Sequence, residues 1–272
     1  RAPVGELWLA GIIPVLLMAG VFIAYIAIRC ALQPSLGPPL PEEERNIPLK
    51  EKLLLLRAGI LPVGLFALMM GLFISGATSL VESSAVGAAA ATLAAAVSGR
   101  LSWKVLDATI RNTLLISCMF LWIILAALCF GAVFDGLGAV KSLKALFLED
   151  LGLSPWAILI LMQLTYIVMG MFLDDTAMLV IVAPLFIPLV GALGFDLVWY
   201  GILYTITCQI AYITPPFGYN LFLMRAMAPK EITLIDIYRS VFPFVGLMLV
   251  TLVLIMVFPE IALWLPSQVY GD

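Results

Sequence analysis

The chain has 272 residues, of which 64% are hydrophobic and 11% charged, and its formal net charge is −3. Soluble domains carry roughly 25% charged residues, so the composition excludes an ordinary soluble domain, and the chain lacks the basic footprint of a nucleic-acid-binding protein. The sequence contains no histidine, which excludes histidine-based catalysis and histidine-ligated metal sites. We therefore expect a membrane protein whose partner is the lipid bilayer and not nucleic acid.

Apolar runs of about 20 residues, enough to cross the hydrocarbon core as a helix, recur along the whole chain. They cover residues 7–32, 53–76, 79–98, 113–133, 154–173, 176–194, 197–224 and 240–265. This pattern predicts an all-α polytopic membrane protein. Its predicted segments are 1–52, a transmembrane helix and cytoplasmic linker; 53–152, transmembrane and interfacial helices; 153–239, a hairpin and a broken helix; and 240–272, the C-terminal transmembrane helix.

The first two segments contain most of the predicted surface structure. Residues 33–52 are rich in proline and mixed in charge, which is typical of a solvated loop. Residues 101–112 and 138–151 alternate charged and apolar positions at helical spacing, which suits interfacial helices, although buried helix ends would look similar. The isolated cysteines are interpreted as small apolar side chains and not as disulfides or metal ligands; they are Cys30, Cys118, Cys129 and Cys208.

A polar cluster, SGATSLVESSAVGA, interrupts the second segment at residues 75–88. Its small residues permit close contact between helices. Glu82 lies among serines within this cluster. It either lines a substrate path or is a neutral, hydrogen-bonded packing residue, and the sequence favours neither interpretation.

The stretch GMFLDDTAMLV, residues 170–180, places Asp174 and Asp175 in the middle of about forty apolar residues. An ionised carboxylate at the bilayer centre costs about 2.5 kcal/mol or more, so it requires a distant cationic side chain, a proton or a bound cation. The alternative is that one aspartate only caps the helix that starts near Thr176, because aspartate is a favoured N-cap.

The distribution of positive charge predicts the orientation of these segments, because Lys and Arg are retained on the cytoplasmic side. They collect in residues 29–57, 100–111 and 225–239, which places the C-terminus in the periplasm. The hairpin tip, residues 170–177, has no Lys or Arg close to it. We therefore predict a re-entrant hairpin whose tip is buried at membrane depth against other helices or water.

A second interruption, YITPPFGYNLF, occupies residues 212–222. Pro215 and Pro216 lack a backbone N–H, and Pro215 disfavours helical backbone at Thr214, so carbonyl groups one turn upstream should lose their partners and become ligands for a hard cation. The alternative is a simple proline kink. A carboxylate-bearing hairpin followed by a helix with a break at 214–216 is how secondary transporters build their binding sites.

At these residues the sequence resembles the large membrane subunit of the tripartite ATP-independent periplasmic (TRAP) transporters. The matching stretches are LAGIIPVLLMAG (9–20), TSLVESSAVGA (78–88), GMFLDDTAM (170–178), PLFIPL (184–189), ITPPFGYNLF (213–222) and FPEIALWLP (258–266). The stretch FGYNLFLMRAMAPKEITLIDIYRSVFPFV is most similar to the branch often labelled mannitol/chloroaromatic. The segment TSLVESS departs from the family's commoner Thr-Pro-Thr-Glu form, although Thr78 and Glu82 keep their positions.

The resemblance implies an elevator-type ion-transporter fold with a re-entrant helical hairpin and a discontinuous helix. It implies the large permease subunit of a Na⁺-driven, binding-protein-dependent secondary transporter that imports a small organic acid, such as a 2-oxo acid, lactate or another carboxylate, across the bacterial inner membrane. Na⁺ is the coupling ion, and no cofactor is expected. The expected partners are a small four-helix membrane subunit, a periplasmic substrate-binding protein and the N-terminal half of the large subunit, which this sequence is expected to lack.

The family pattern also implies the residues of the site. The expected Na⁺ site contains Gly170, Leu173, Asp174, Thr214 and Pro215. The expected substrate path contains Thr176, Asn220, Gly218, Glu82 and Thr78. The acidic residue of the family motif falls on Asp174, and Asp175 is assigned no family role.

Other functions stay open at this point. A proton-coupled carboxylate transporter of the wider ion-transporter group would use Asp174 as proton carrier, whereas a non-catalytic structural subunit would need no ion. An intramembrane aspartyl enzyme would need two carboxylates that face each other. Asp174 with Glu82 is the candidate pair that the spans offer, and we expect no enzyme.

Overall fold

The structure, a computed structural model, describes residues 3–37, 48–138, 141–142, 145–146, 152–173, 175–216, 218–229 and 231–271. These residues form α-helices, turns and a short 3-10 turn at Pro34–Leu36, and they contain no β-strand. The helices are α1 Val4–Leu32, α2 Leu49–Ile74, α3 Leu80–Val97, α4 Trp103–Gly136, α5 Pro155–Gly170, α6 Asp175–Ala192, α7 Leu197–Tyr212, α8 Tyr219–Met227, α9 Leu234–Val257 and α10 Glu260–Tyr270.

The lengths and compositions of these helices fit a membrane protein. Within the described parts of the chain, four helical stretches are long and apolar enough to span a membrane: Val4–Leu32, Leu80–Val97, Trp103–Phe130 and Leu234–Val257. Helices α5 and α7 are also apolar but have only 16 residues each, about 24 Å at 1.5 Å per residue. The prediction of an all-α polytopic membrane protein is confirmed.

Side-chain caps fix where several helices begin. The oxygen of an N-cap side chain accepts a hydrogen bond from a backbone N–H three residues later, which satisfies one of the donors that a helix start leaves unpaired. The pairs are Ser79 with Glu82, Ser154 with Ala157, Asp196 with Trp199 and Thr233 with Asp236. The starts of α3, α5, α7 and α9 are therefore set by local sequence.

The last predicted span, 240–265, is two helices in the structure. Helix α9 ends at Val257, and α10 begins at Glu260. Between them Phe258 has φ −120° and ψ 79°, because Pro259 disfavours helical backbone at the preceding residue and has no N–H to donate.

Helix α4 also differs from the prediction, which placed an interfacial helix at 101–112 before a span at 113–133. The structure has one continuous helix, Trp103–Gly136, because the sequence between Trp103 and Phe130 contains no proline or glycine. Most of the second predicted interfacial helix, 138–151, lies outside the described residues. Within the predicted loop 33–52, residues 38–47 also lie outside the described residues. The last residues of this predicted loop, from Leu49 onward, belong to helix α2.

The chain forms two compact units, one made of residues 1–26 and 118–272 and the other of residues 27–117. In the second unit α2 packs against α3. A Cβ atom on Gly87 of α3 would overlap the side chain of Met69 on α2. A glycine at this position therefore allows the two helices to approach closely.

Helix α7 is the central element of the first unit. It packs against α5, α6, α8, α9 and α10, and its side chains Leu203 and Ile210 are almost fully buried. The indole Nε1 of Trp199 donates a hydrogen bond to the carbonyl oxygen of Ile255 on α9 at 2.9 Å. These contacts bring the C-terminal end of α7 to the ends of the hairpin helices α5 and α6.

Candidate functional site

The end of the first hairpin helix touches the last turn of α7. Helix α5 ends at Gly170, which is buried. A Cβ atom added to Gly170 would lie 2.6 Å from the Cβ of Ala211, closer than two side-chain carbons approach. The glycine is therefore required for this contact between the hairpin tip and α7.

The second hairpin helix begins at Asp175, whose backbone is bound by two tyrosines of α7. The backbone N–H of Asp175 donates a hydrogen bond to the hydroxyl oxygen of Tyr212 at 2.9 Å. The hydroxyl of Tyr204 donates a hydrogen bond to the carbonyl oxygen of Asp175 at 3.0 Å. The N–H and the carbonyl group of Asp175 thus both hold the start of α6 against α7.

Helix α7 stops at Tyr212, and helical structure resumes only at Tyr219. Gly218, just before α8, has φ +31°, a left-handed conformation that favours glycine. A Cβ atom at Gly218 would also lie 2.6 Å from Cδ1 of Leu221 and 3.2 Å from the carbonyl oxygen of Thr214. The return to helix therefore depends on this glycine.

The carbonyl groups of Ile210 and Ala211, just before this break, have partners, which corrects the prediction for the carbonyl one turn before Pro215. The hydroxyl of Thr214 donates to the carbonyl oxygen of Ile210 at 2.6 Å, and the backbone N–H of Thr214 donates to the carbonyl oxygen of Ala211 at 3.1 Å. The carbonyl oxygen of Pro216 accepts a hydrogen bond from the hydroxyl of Tyr238 on α9 at 2.9 Å. The carbonyl oxygen of Ile210 also accepts a hydrogen bond from the backbone N–H of Ile213 at 3.3 Å, whereas the bond from Tyr238 uses one of the two lone pairs of the Pro216 carbonyl oxygen.

The structure brings several residues of the predicted Na⁺ site into one region. Gly170 and Thr214 both contact Ala211, Leu173 packs against the core of the first unit, and Pro215 is half-buried. Asp174 lies outside the described residues.

The predicted substrate-path residues fall in both compact units. Gly218 precedes α8, and Asn220 is exposed in its first turn. The backbone of Thr176 belongs to the first turn of α6, whereas its side chain lies outside what the structure describes. Thr78 and Glu82 belong to the second unit, and their assignment to the substrate path stays a prediction.

Glu82 has a local role that the sequence interpretation missed. Its carboxylate accepts hydrogen bonds from the backbone N–H of Ser79 at 2.7 Å and from the Ser79 hydroxyl at 2.9 Å, and the Ser79 hydroxyl in turn accepts from the backbone N–H of Glu82. This is a capping box at the start of α3, and the spacing of Ser79 and Glu82 is its recognised signal. The neighbouring hydroxyls of Thr78 and Ser83 form a hydrogen bond at 2.6 Å.

The capping box predicts how substitutions of Glu82 affect stability. Glu82→Ala removes the acceptor for the Ser79 N–H and is expected to lower the melting temperature of the permease, whereas Glu82→Gln keeps an amide oxygen and should lower it less. Thermal unfolding of both variants in detergent checks this order. Equal melting temperatures for the two variants would contradict the expected order. Separately, uptake by the Glu82→Gln variant measures whether the negative charge of Glu82 has a role in transport.

Polar side chains also connect α5 with α7 inside the first unit. The hydroxyl of Thr207 donates to Oε1 of Gln163 at 2.7 Å, and the hydroxyls of Tyr166 and Tyr200 form a hydrogen bond at 2.9 Å. Nε2 of Gln163 is buried without a hydrogen-bond partner within the described residues. No local motif predicts these pairs, because their members are 34 to 44 residues apart.

The comparison with protein-family models gives one description for most of the chain. Residues 1–261 match the family model of the tripartite ATP-independent periplasmic transporter, DctM component. The match includes both hairpin helices and the break after α7.

Curated relatives agree with this match. The chain is 29% identical over 267 residues to the C4-dicarboxylate TRAP transporter large permease protein DctM of Pseudomonas aeruginosa, covering 97% of this chain and 60% of that protein. It is 29% identical to the ectoine TRAP transporter large permease protein TeaC of Halomonas elongata, covering 96% of this chain and 60% of that protein. It is 26% identical to the sialic acid TRAP transporter permease protein SiaT of Haemophilus influenzae, covering 97% of this chain and 42% of that protein. The chain therefore spans about three fifths or less of the length of these relatives.

Proposed function

The chain belongs to the DctM family of tripartite ATP-independent periplasmic transporters, and from this premise we propose that it acts in the large permease subunit of a Na⁺-driven secondary transporter. The transporter imports a small organic acid across the bacterial inner membrane. The observation that carries this proposal is the contact of the hairpin tip with the end of α7, where Gly170 meets Ala211 and Asp175 meets Tyr212.

A coupling ion explains why a carboxylate lies at this contact. Asp174 immediately precedes α6 and, as an ionised group at membrane depth, requires a positive partner. We propose Na⁺ as that partner, because carboxylate and carbonyl oxygens suit hard cations and carbonyl groups of broken helices coordinate Na⁺ in secondary transporters. The proposed ligands come from Gly170, Leu173, Asp174, Thr214 and Pro215.

The short hairpin helices support the elevator-type arrangement with a re-entrant hairpin. Helix α5, at about 24 Å, is shorter than the ~30 Å hydrocarbon core, and it is followed after four residues by α6. A helix pair with so short a first member, turning back at residues 170–177, fits a re-entrant hairpin whose tip lies within the membrane. The discontinuous helix is formed by α7 and α8.

The proposed substrate is a small carboxylate such as a 2-oxo acid or lactate. The names of the relatives specify a C4-dicarboxylate, ectoine and sialic acid, so the family relationship alone does not fix one compound. Helix N-termini favour negative charge, and Thr176 and Asn220 lie in the first turns of α6 and α8. We place these two residues, with Gly218, Glu82 and Thr78, along the path of the anion.

The proposed assembly follows from the family. Its other proposed members are a small four-helix membrane subunit, a periplasmic substrate-binding protein and the N-terminal half of the large subunit. The periplasmic side receives the substrate, and the C-terminus of the chain is proposed to lie there.

Uptake into proteoliposomes tests the proposal directly. The complete permease with its binding protein is supplied with radiolabelled pyruvate, lactate or succinate, and an inward Na⁺ gradient or an inward proton gradient is imposed separately at equal ionic strength. We expect accumulation of at least one of these acids to follow the Na⁺ gradient at constant pH. Accumulation that follows only the proton gradient would instead assign Asp174 the role of proton carrier, and absence of any gradient dependence would favour a structural subunit.

A further inference from the structure

Three tyrosine hydroxyls bind the backbone of the hairpin tip and of the helix break. Tyr212 accepts a hydrogen bond from the N–H of Asp175, and Tyr204 donates one to the carbonyl oxygen of Asp175. Tyr238 on α9 donates a hydrogen bond to the carbonyl oxygen of Pro216. The three tyrosines come from two helices, and these three bonds go to main-chain atoms where the helices begin or end.

These main-chain atoms are the ones that a helix cannot satisfy by itself. The N–H of Asp175 belongs to the first turn of α6, whose N–H groups have no intrahelical acceptor. Pro216 lies between α7 and α8, outside either helix. In hydrocarbon an unsatisfied backbone group costs several kcal/mol, so side-chain hydroxyls at these positions stabilise irregular backbone at membrane depth.

We propose that Tyr212, Tyr204 and Tyr238 are positioning residues for the Na⁺ site, which means that they act through the backbone and do not touch the ion. The inference rests on the proposed function, since it needs an ion at this place. Asp175 is the covalent neighbour of Asp174, the proposed ligand, and Pro216 is the neighbour of Pro215. Hydrogen bonds that fix the backbone of Asp175 and Pro216 reduce the conformational freedom of the adjacent proposed ligands. This lowers the entropic cost of bringing the ligands together around Na⁺.

The chain offers a matched control for this inference. Tyr166 on α5 and Tyr200 on α7 hydrogen-bond to each other at 2.9 Å, and both are buried. Replacing Tyr166 by Phe therefore removes one hydroxyl and one hydrogen bond from the same helix packing. It leaves the bonds to Asp175 and Pro216 in place.

Equilibrium binding of radioactive Na⁺ to the purified complete permease tests the proposal. The loss of the Tyr212 hydroxyl, which fixes the backbone of the tip, predicts that Tyr212→Phe raises the half-saturating Na⁺ concentration about fivefold. Tyr166→Phe is expected to leave it unchanged. Both variants lose one tyrosine hydroxyl that hydrogen-bonds inside the first unit, so their melting temperatures without Na⁺ should fall by similar amounts. A general loosening of the fold cannot produce this separation of Na⁺ affinity from stability.

The outcomes distinguish the inference from the function on which it rests. Na⁺ binding to the unsubstituted permease together with an unchanged affinity in Tyr212→Phe would overturn the positioning role alone. Equal shifts in Tyr212→Phe and Tyr166→Phe would also overturn it. Absence of Na⁺ binding to the unsubstituted permease would overturn both. Tyr238→Phe, on a different helix, is the second variant if Tyr212→Phe fails to assemble, and it is expected to weaken Na⁺ binding in the same direction.

Discussion

Replacing Asp174 by Asn is expected to abolish Na⁺-driven uptake and to weaken Na⁺ binding at least about 100-fold, which corresponds to about 2.7 kcal/mol. The substitution keeps the size of the side chain but removes the negative charge that faces the ion in the proposed site. Na⁺ binding to the purified permease and uptake under an inward Na⁺ gradient measure the two effects.

Asp175 provides the matched control, because Asp175→Asn removes the same charge one residue later. Tyr212 and Tyr204 bond to the backbone of Asp175, and the Tyr212 hydroxyl also interacts with the Asp175 side chain; Asn keeps the backbone atoms and a side-chain oxygen that can accept a hydrogen bond. We expect the Na⁺ affinity of this variant to change less than about threefold, in line with the modest effect of one charge at a helix N-terminus. An Asp174→Asn variant that still binds Na⁺ normally would show that the proposed ligand set is wrong.

Gly170→Ala is expected to reduce both stability and transport, because the new Cβ would lie 2.6 Å from that of Ala211. Overpacking of this kind costs about 1–3 kcal/mol, more than the gain of up to about 1 kcal/mol from placing Ala instead of Gly in a helix. Gly170→Val adds further atoms and is expected to separate α5 from α7 and eliminate uptake. Thermal unfolding and Na⁺-driven uptake check both variants.

Two further variants make this prediction specific to the contact. Gly191 in α6 has no atom within 4 Å of its would-be Cβ, so Gly191→Ala is expected to be neutral or stabilising by up to about 1 kcal/mol. Ala211→Gly removes the atom that opposes Gly170. The double variant Gly170→Ala with Ala211→Gly is therefore expected to recover part of the lost stability and uptake, and a purely additive loss would contradict the contact.

The sequence predicts the helices well where the signal is local. Long apolar runs give the membrane helices, and the Ser79–Glu82 spacing is the signal for the capping box that starts α3. Glu82 was interpreted as lining a substrate path or as a neutral packing residue, because a polar residue inside an apolar run suggests function before its local partner is known. The break between α9 and α10 at Pro259 was missed because, apart from Glu260, the residues on both sides of this proline are apolar and continue the run.

The contacts of the candidate site depend on residues far apart in sequence. Nothing near Gly170 indicates that it meets Ala211, and nothing near Asp175 indicates that Tyr212, 37 residues later, accepts its N–H. The prediction that Pro215 frees upstream carbonyl groups failed for a related reason. The carbonyl one turn before Pro215 is that of Ala211, and the backbone N–H of Thr214 donates to it at 3.1 Å, a tighter turn at the helix end that the proline pattern does not indicate.

The buried pair of Gln163 and Thr207 has a consequence for the order of events during synthesis. Gln163 of α5 leaves the ribosome 44 residues before Thr207, which is about 2–9 s at 5–20 residues per second. For that interval α5 carries a polar amide with no partner from α7, and such a group disfavours release into the lipid. Helix α5 therefore takes its final place only after α7 has emerged, so the hairpin is completed by a helix that follows it in the chain.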